Sequence, residues 1–181
     1  MELTGQRCTL RRWRASDAAA IVRRANNLKI ASQLRDRFPH PYTARDARTF
    51  IRHVMQSDSD ATNLAIEVDG EAAGAVGMIQ GKDIERYSAE IGYWLAEDYW
   101  GRGIAAEAVT MLTDYAFGRL NLLRLFALPF ASNTQSTRVL EKAGYVREGV
   151  LHASAVKHGE PRDQVLYARV NGAWASPIRD S

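Results

Sequence analysis

Between a β-rich run ending at Leu95 and a long stretch of helical periodicity lies Trp100-Gly101-Arg102-Gly103-Ile104-Ala105-Ala106, a set of residues suited to holding a phosphate. Glycines at 101 and 103 let backbone N–H groups approach a ligand closely. The amino terminus of the following helix adds unpaired donors at the positive end of its dipole. Arg102 can contribute a further positive charge. The string also satisfies G-x-G-x-x-A, a dinucleotide fingerprint. That site, however, needs the loop after the first strand of a parallel sheet and an acidic residue about 20 positions on. Here the loop follows a meander, and the next strand closes in Pro129-Phe130-Ala131. A P-loop is excluded because the Gly-Lys-Ser/Thr ending is missing.

A second constellation is Asn133, Ser136 and Leu140, spaced by three and four and therefore on one helical face. Asn133 is a good N-cap on any reading. Strand alternation puts Glu90 on one face with Gly92 and Trp94, which makes it a candidate general base, and Asp163 in Arg162-Asp163 is a second carboxylate. His40, His53, His152 and His158 show no metal-ligand spacing, and the single Cys8 excludes a disulfide framework and a cysteine-based zinc site, so no metal is expected. Trp94, Trp100 and Trp174 read as packing residues or walls of an acceptor pocket.

The elements that must position these residues alternate in type along the chain. Residues 7 to 13 suit a strand, Ser16 can cap a helix from Asp17 to about Arg24, and a short helix follows around Asn27 to Leu34. Phe38-Pro39-His40-Pro41-Tyr42 is a rigid turn, and Thr43 with Asp46 opens a helix to about Ser57. Strands are expected over Thr62 to Val68 and Glu71 to Gly81, joined at Asp69-Gly70, and over Arg86 to Leu95. Ile104, Ala105, Ala108, Val109, Leu112 and Tyr115 then recur at helical spacing. Strand Leu123 to Ala131, a helix from Asn133 to Gly144, and strands Tyr145 to Ala155 and Val165 to Val170 complete an α+β order in which a βαβ unit follows an antiparallel meander.

At 181 residues with 46% hydrophobic composition, the chain reads as a single domain over 1–181 with one core. A balance of 24 basic against 21 acidic residues is too even to argue for direct nucleic-acid binding, although Arg11, Arg12, Arg14, Arg23 and Arg24 crowd the first 24 positions. No apolar run is long enough to span a bilayer, so no membrane partner is expected and the chain reads as cytoplasmic.

Taken together, Ala89-Glu90-Ile91-Gly92-Tyr93-Trp94-Leu95, Tyr99-Trp100-Gly101-Arg102-Gly103-Ile104-Ala105 with Glu107-Ala108, and Asn133-x-x-Ser136-x-x-Val139-x-Glu141-Lys142-x-Gly144-Tyr145 resemble the GNAT acetyltransferase superfamily, and within it the RimJ/RimL-type branch. The resemblance implies a mostly antiparallel seven-stranded sheet, splayed between strands 4 and 5 and flanked by helices. It also implies acetyl-CoA as cosubstrate and a primary amine as acceptor, either a protein amino terminus or a small molecule. A homodimer is compatible with it. The general superfamily loop begins with Gln or Arg where this chain has Trp100, which leaves more of the anion binding to Arg102 and the backbone.

The resemblance also distributes roles. Gly101, Arg102, Gly103, Ile104 and Ala105 would hold the diphosphate. The backbone at Tyr93, Trp94 and Leu95 would pair with the pantetheine arm, with Pro129 marking the gap on the opposing strand. Glu90 would take the amine proton. Many members place a tyrosine where this chain has Leu140, so Ser136 becomes the hydrogen-bond donor to the departing sulfur, Asn133 orders the cofactor amides, and Tyr145 is a substitute donor or a packing residue. A catalytically silent acyl-CoA-binding module is the alternative reading.

Overall fold

The computed structural model describes residues 1–56 and 63–176. In chain order its elements are β1 (Glu2–Thr4), β2 (Thr9–Arg11), α1 (Ala18–Ala25), α2 (Leu28–Ala31), α3 (Ala44–Met55), β3 (Leu64–Val68), β4 (Glu71–Gln80), β5 (Ser88–Leu95), α4 (Ile104–Gly118), β6 (Arg124–Ala127), α5 (Thr134–Lys142), β7 (Val146–Lys157) and β8 (Glu160–Val170). The strands form one sheet in the order β1-β2-β3-β4-β5-β6-β8-β7. β5 and β6 run parallel on either side of α4, as a crossover helix requires, and the other neighbours are antiparallel.

The expected α+β order is present, with an eighth strand. β1 folds back so that Leu3 faces Leu10, and three residues are too few to show alternation in the sequence. The expected end of the third helix at Ser57 and start of the following strand at Thr62 lie outside the described residues. Asp17, and not Ser16, caps the first helical turn: its carboxylate accepts the Arg14 N–H at 2.8 Å. The stretch between the strands expected to end at Ala155 and to begin at Val165 is itself strand, continuing β7 and β8 around a turn at His158 and Gly159, both with positive φ. Asp69 and Gly70 also take positive φ, which matches the tight turn read from that dipeptide.

Helices cover both faces of the sheet. On one face α4 and α5 bury Ile104, Val109, Leu112 and Leu140 against Leu10, Ile66 and Ile91. On the other, α1 and α3 bury Ile21, Ala47 and Ile51 with Trp13 and Tyr42 against Ala65 and Ala75. Thr43 and Asp46 form a capping box at the start of α3, each side chain satisfying the other's backbone N–H.

Much of the early arginine cluster serves the fold. Arg11, 2% exposed, is bidentate to Asp17 at 2.9 Å and also donates to Glu67. Arg23 and Arg24 both reach Glu71. Replacing Arg11 with methionine leaves the buried Asp17 carboxylate without its guanidinium, while Glu67 keeps Arg14 at 3.7 Å, and loss of one partner from a buried ion pair typically costs about 3–5 kcal/mol. Arg11→Met is therefore expected to lower the unfolding midpoint markedly in a denaturant titration; an unchanged midpoint would show that these carboxylates reach water.

Candidate active site

β5 follows β4 along its whole length, from Ala89↔Gln80 to Leu95↔Gly74, yet pairs with β6 only from Ser88 to Glu90. The strand expected to run to Ala131 ends at Ala127, because the chain beyond turns toward β8. Val165 donates to the Pro129 carbonyl at 3.0 Å, and the Gln164 amide donates to the Leu128 carbonyl at 2.8 Å. Pro129 has no N–H to strand at this divergence and lines the cleft of about 480 Å³ that opens there. The cleft lies between strands 4 and 5 of the seven expected, where the resemblance put the splay.

The edge of β5 facing the cleft has a defined polarity. The Ala96 N–H donates to the Ala73 carbonyl, so backbone groups of Trp94 and Gly92 point the same way, toward β4, and those of Tyr93 and Leu95 point across the gap. The Leu95 carbonyl accepts from the Trp100 indole at 2.8 Å. Trp100, the departure from the general loop pattern, thus ties off the end of the strand.

At the far end of the cleft, Gly101 and Gly103 have φ of +77° and +78°, and Gly103 caps α4. The first helical bond there runs from Glu107 N–H to the Gly103 carbonyl, so the N–H groups of Ile104, Ala105 and Ala106 have no partner within the helix, and all three residues line the cleft. Glu107 accepts from the backbone of Gln6 and Arg7, which brings Arg7 to the loop: a Cβ on Gly103 would lie 3.5 Å from its Nε. The Arg102 guanidinium stacks over the Tyr99 ring at 5.4 Å, and Arg102 does not line the cleft. The cations that do line it are Lys29, Arg35, Arg138 and Lys142; they were missed, although the i, i+4 spacing of the last two on α5 was a usable signal.

Ser136 and Asn133 both line the cleft beside Tyr93. Asn133 caps α5 by accepting the Ser136 N–H at 3.0 Å. The Ser136 hydroxyl sits 2.8 Å from the Tyr93 hydroxyl, which also donates to the Ser136 carbonyl at 3.1 Å. Burial pushes the Tyr93 phenol well above its ordinary value, so it remains a proton donor at neutral pH. Sequence reading gave Tyr93 a backbone role only. Leu140 is core, and Tyr145 is spent on Thr113 at 2.8 Å inside it, so Tyr145 packs and does not face the cleft.

Glu90 lies on the opposite face of β5, with Gly92 and Trp94, as alternation predicted. It stands where the cleft meets a second cavity of about 810 Å³ under α3 and the 34–42 segment. Arg35 donates to Glu90 Oε1, which leaves Oε2 without a hydrogen-bond partner among the described residues. A Cβ on Gly92 would touch nothing within 4 Å, so the glycine keeps the passage open. Asp163 lines neither cavity: it accepts from Ala153 N–H at 2.8 Å and contacts His152 at 3.0 Å, and the Ala153 and His152 bonds hold its carboxyl below the ordinary value.

A long cleft with an anion-binding loop at one end, a strand edge free to pair in the middle and hydroxyl donors at the other fits coenzyme A. That combination marks an acyl-CoA-dependent transferase. Residues 7–146 match the acetyltransferase (GNAT) domain, and the chain belongs to that family. It is 29% identical to the "uncharacterized N-acetyltransferase p20" of Bacillus licheniformis over 94% of this chain and 96% of that one. It is 28% identical to the spermidine N(1)-acetyltransferase of Escherichia coli K12 over 75% and 72%. Mycobacterium smegmatis RimJ, solved in complex with CoA-disulfide, superposes with a TM-score of 0.78 at 29% identity over 90% and 81%. The chain is an acetyltransferase that takes its acetyl group from acetyl-CoA and passes it to an amine. No helix among the described residues is long and apolar enough to cross a membrane.

Proposed function

We propose that the chain acetylates a primary amine, a protein amino terminus or a small-molecule amine, by direct attack with both substrates bound at once. The observation that carries this reading is the meeting of two cavities at Glu90, Gly92 and Tyr93, one shaped for coenzyme A and the other open to an acceptor. The spermidine N(1)-acetyltransferase supports the small-amine form.

Bound acetyl-CoA supplies an activated acetyl group whose thioester is open to a nucleophile. Backbone donors at 101 and 103–105 hold the diphosphate, with Arg138 and Lys142 adding charge along the same wall. The exposed backbone of Tyr93 and Leu95 pairs with the pantetheine arm, and the Asn133 amide orders it. Glu90 Oε2 accepts the proton of the incoming ammonium. As the nitrogen–carbon bond forms and the carbon–sulfur bond breaks, the nitrogen gives up its second proton and the departing sulfur takes one up, while the Ser136 hydroxyl, held by the Tyr93 phenol, donates a hydrogen bond to that sulfur.

The test is thiol release from acetyl-CoA on adding amines; tight binding without release under any amine would identify a silent acyl-CoA-binding module. Ser136→Ala is expected to lower kcat about tenfold, less than the roughly 10²–10³ of losing a lone transition-state donor because Tyr93 remains nearby, with little change in the Kd for coenzyme A. Unchanged turnover would remove Ser136 from the chemistry.

A further inference from the structure

The second cavity carries a charge imbalance that bears on which amine enters it. Its acidic groups are already engaged. Asp46 accepts from the Thr43 N–H at 2.8 Å and from the Thr43 hydroxyl, and these bonds hold its carboxyl below the ordinary value. Glu90, at the inner end, is paired with Arg35. Two further guanidiniums line the same cavity: Arg45, whose charge falls near the Asp46 carboxylate without a hydrogen bond to it, and Arg37, which has no ion pair or side-chain hydrogen bond among the described residues. The backbone that carries them is pinned. The buried Lys157 donates to the Leu34 carbonyl at 2.8 Å and pairs with Asp36 at 2.8 Å, immediately before Arg37. The capping box fixes Thr43 and Asp46 on either side of Arg45.

Between these cations and Glu90 the wall is aromatic. Phe38 packs against Tyr42 at 5.0 Å and against Trp94 at 5.7 Å between ring centroids. The cavity therefore offers a carboxylate and an open passage at one end, an apolar wall along its length, and the guanidiniums of Arg37 and Arg45, which with Arg35 outnumber its carboxylates Glu90 and Asp46 by one.

Resting on the acetyl-transfer reading above, we propose that the acceptor is a primary amine carried on an anionic molecule, whose carboxylate or phosphate is met by Arg37 and Arg45 while the amine reaches Glu90. Guanidinium pairs with such anions in charge-assisted, often bidentate hydrogen bonds. A polyamine brings further cations to the same rim and is repelled. An acidic peptide amino terminus and a small anionic amine share the required chemistry.

The experiment compares kcat/KM by thiol release for 2-phenylethylamine, O-phosphotyramine, spermidine, and two hexapeptides with either glutamates or lysines after the first residue. O-phosphotyramine is expected to exceed 2-phenylethylamine about tenfold, the scale of one net charge-assisted contact, with spermidine below both. A glutamate peptide that outperforms both the lysine peptide and O-phosphotyramine points to a peptide source, and the reverse order points to a small molecule. In Arg37→Gln/Arg45→Gln the anionic-to-neutral ratio is expected to fall about tenfold. A ratio near one in the native chain, preference for spermidine, or a ratio that survives the double substitution overturns the proposal. If no amine releases thiol, it is the acetyl-transfer reading that fails. Calorimetric binding of O-phosphotyramine against 2-phenylethylamine then still decides the acceptor class, equal affinities overturning it.

Discussion

Gly103→Val is expected to weaken coenzyme A binding about fivefold to thirtyfold, because a side chain in the left-handed region costs roughly 1–2 kcal/mol and a β-branched one lies at the upper end. Gly103 holds φ at +78° as the cap of α4, and a Cβ there would also press toward the Arg7 guanidinium, 3.5 Å away. The loop of the variant relaxes out of this conformation, and the N–H groups of residues 103–105 turn away from the diphosphate. Ligand binding must then restore the strained geometry. Calorimetry with coenzyme A reads the loss, and an unchanged circular dichroism spectrum shows that the sheet and α4 persist. Retained affinity would mean that the backbone at this loop is not what grips the phosphates.

Glu90→Gln is expected to lower kcat/KM at pH 7 by about 10²–10⁴-fold for an alkyl amine, the range for losing a positioned general base. The size of the effect depends on the acceptor. Deprotonating an α-amine of pKa about 7.7–8 at pH 7 costs about 1 kcal/mol, whereas an amine near 10.4 costs about 4.6 kcal/mol, so a peptide amino terminus should suffer less. Without an acceptor for the ammonium proton at Oε2, the variant depends on amine already deprotonated in solution, and its rate should rise with pH until the amine has titrated. Arg35 loses an anionic partner in the variant, so acetyl-CoA affinity is measured alongside to separate misplacement from lost chemistry. A loss below about threefold with both kinds of amine would assign proton removal to water.

These expectations draw on two kinds of information. The glycine loop, the Thr43 and Asp46 cap, the shared face of Asn133 and Ser136, and the alternation that puts Glu90 with Gly92 and Trp94 were all legible because each depends on residues within a few positions of one another. The role of Trp100 was not: its indole closes the end of β5, a contact defined by the turn between them. Arg102 looked like a phosphate ligand by position, yet stacking on Tyr99 holds its side chain away from the cleft.

Asp163 looked like a spare base until the β7–β8 pairing set it beside His152 and Ala153. The Tyr93–Ser136 pair joins side chains from a strand and a helix separated by α4 and β6, and no local pattern announces it. The sequence by itself determined which residues are donors, acceptors and turn-formers and which face of its own element each occupies. Only the tertiary structure decided where β6 leaves β5, that Glu90 stands between two cavities, and that Arg37 and Arg45 line the second of them with more cations than carboxylates. Those outcomes depend on competition among distant segments for the same backbone hydrogen bonds and the same buried space, which short-range spacing does not encode.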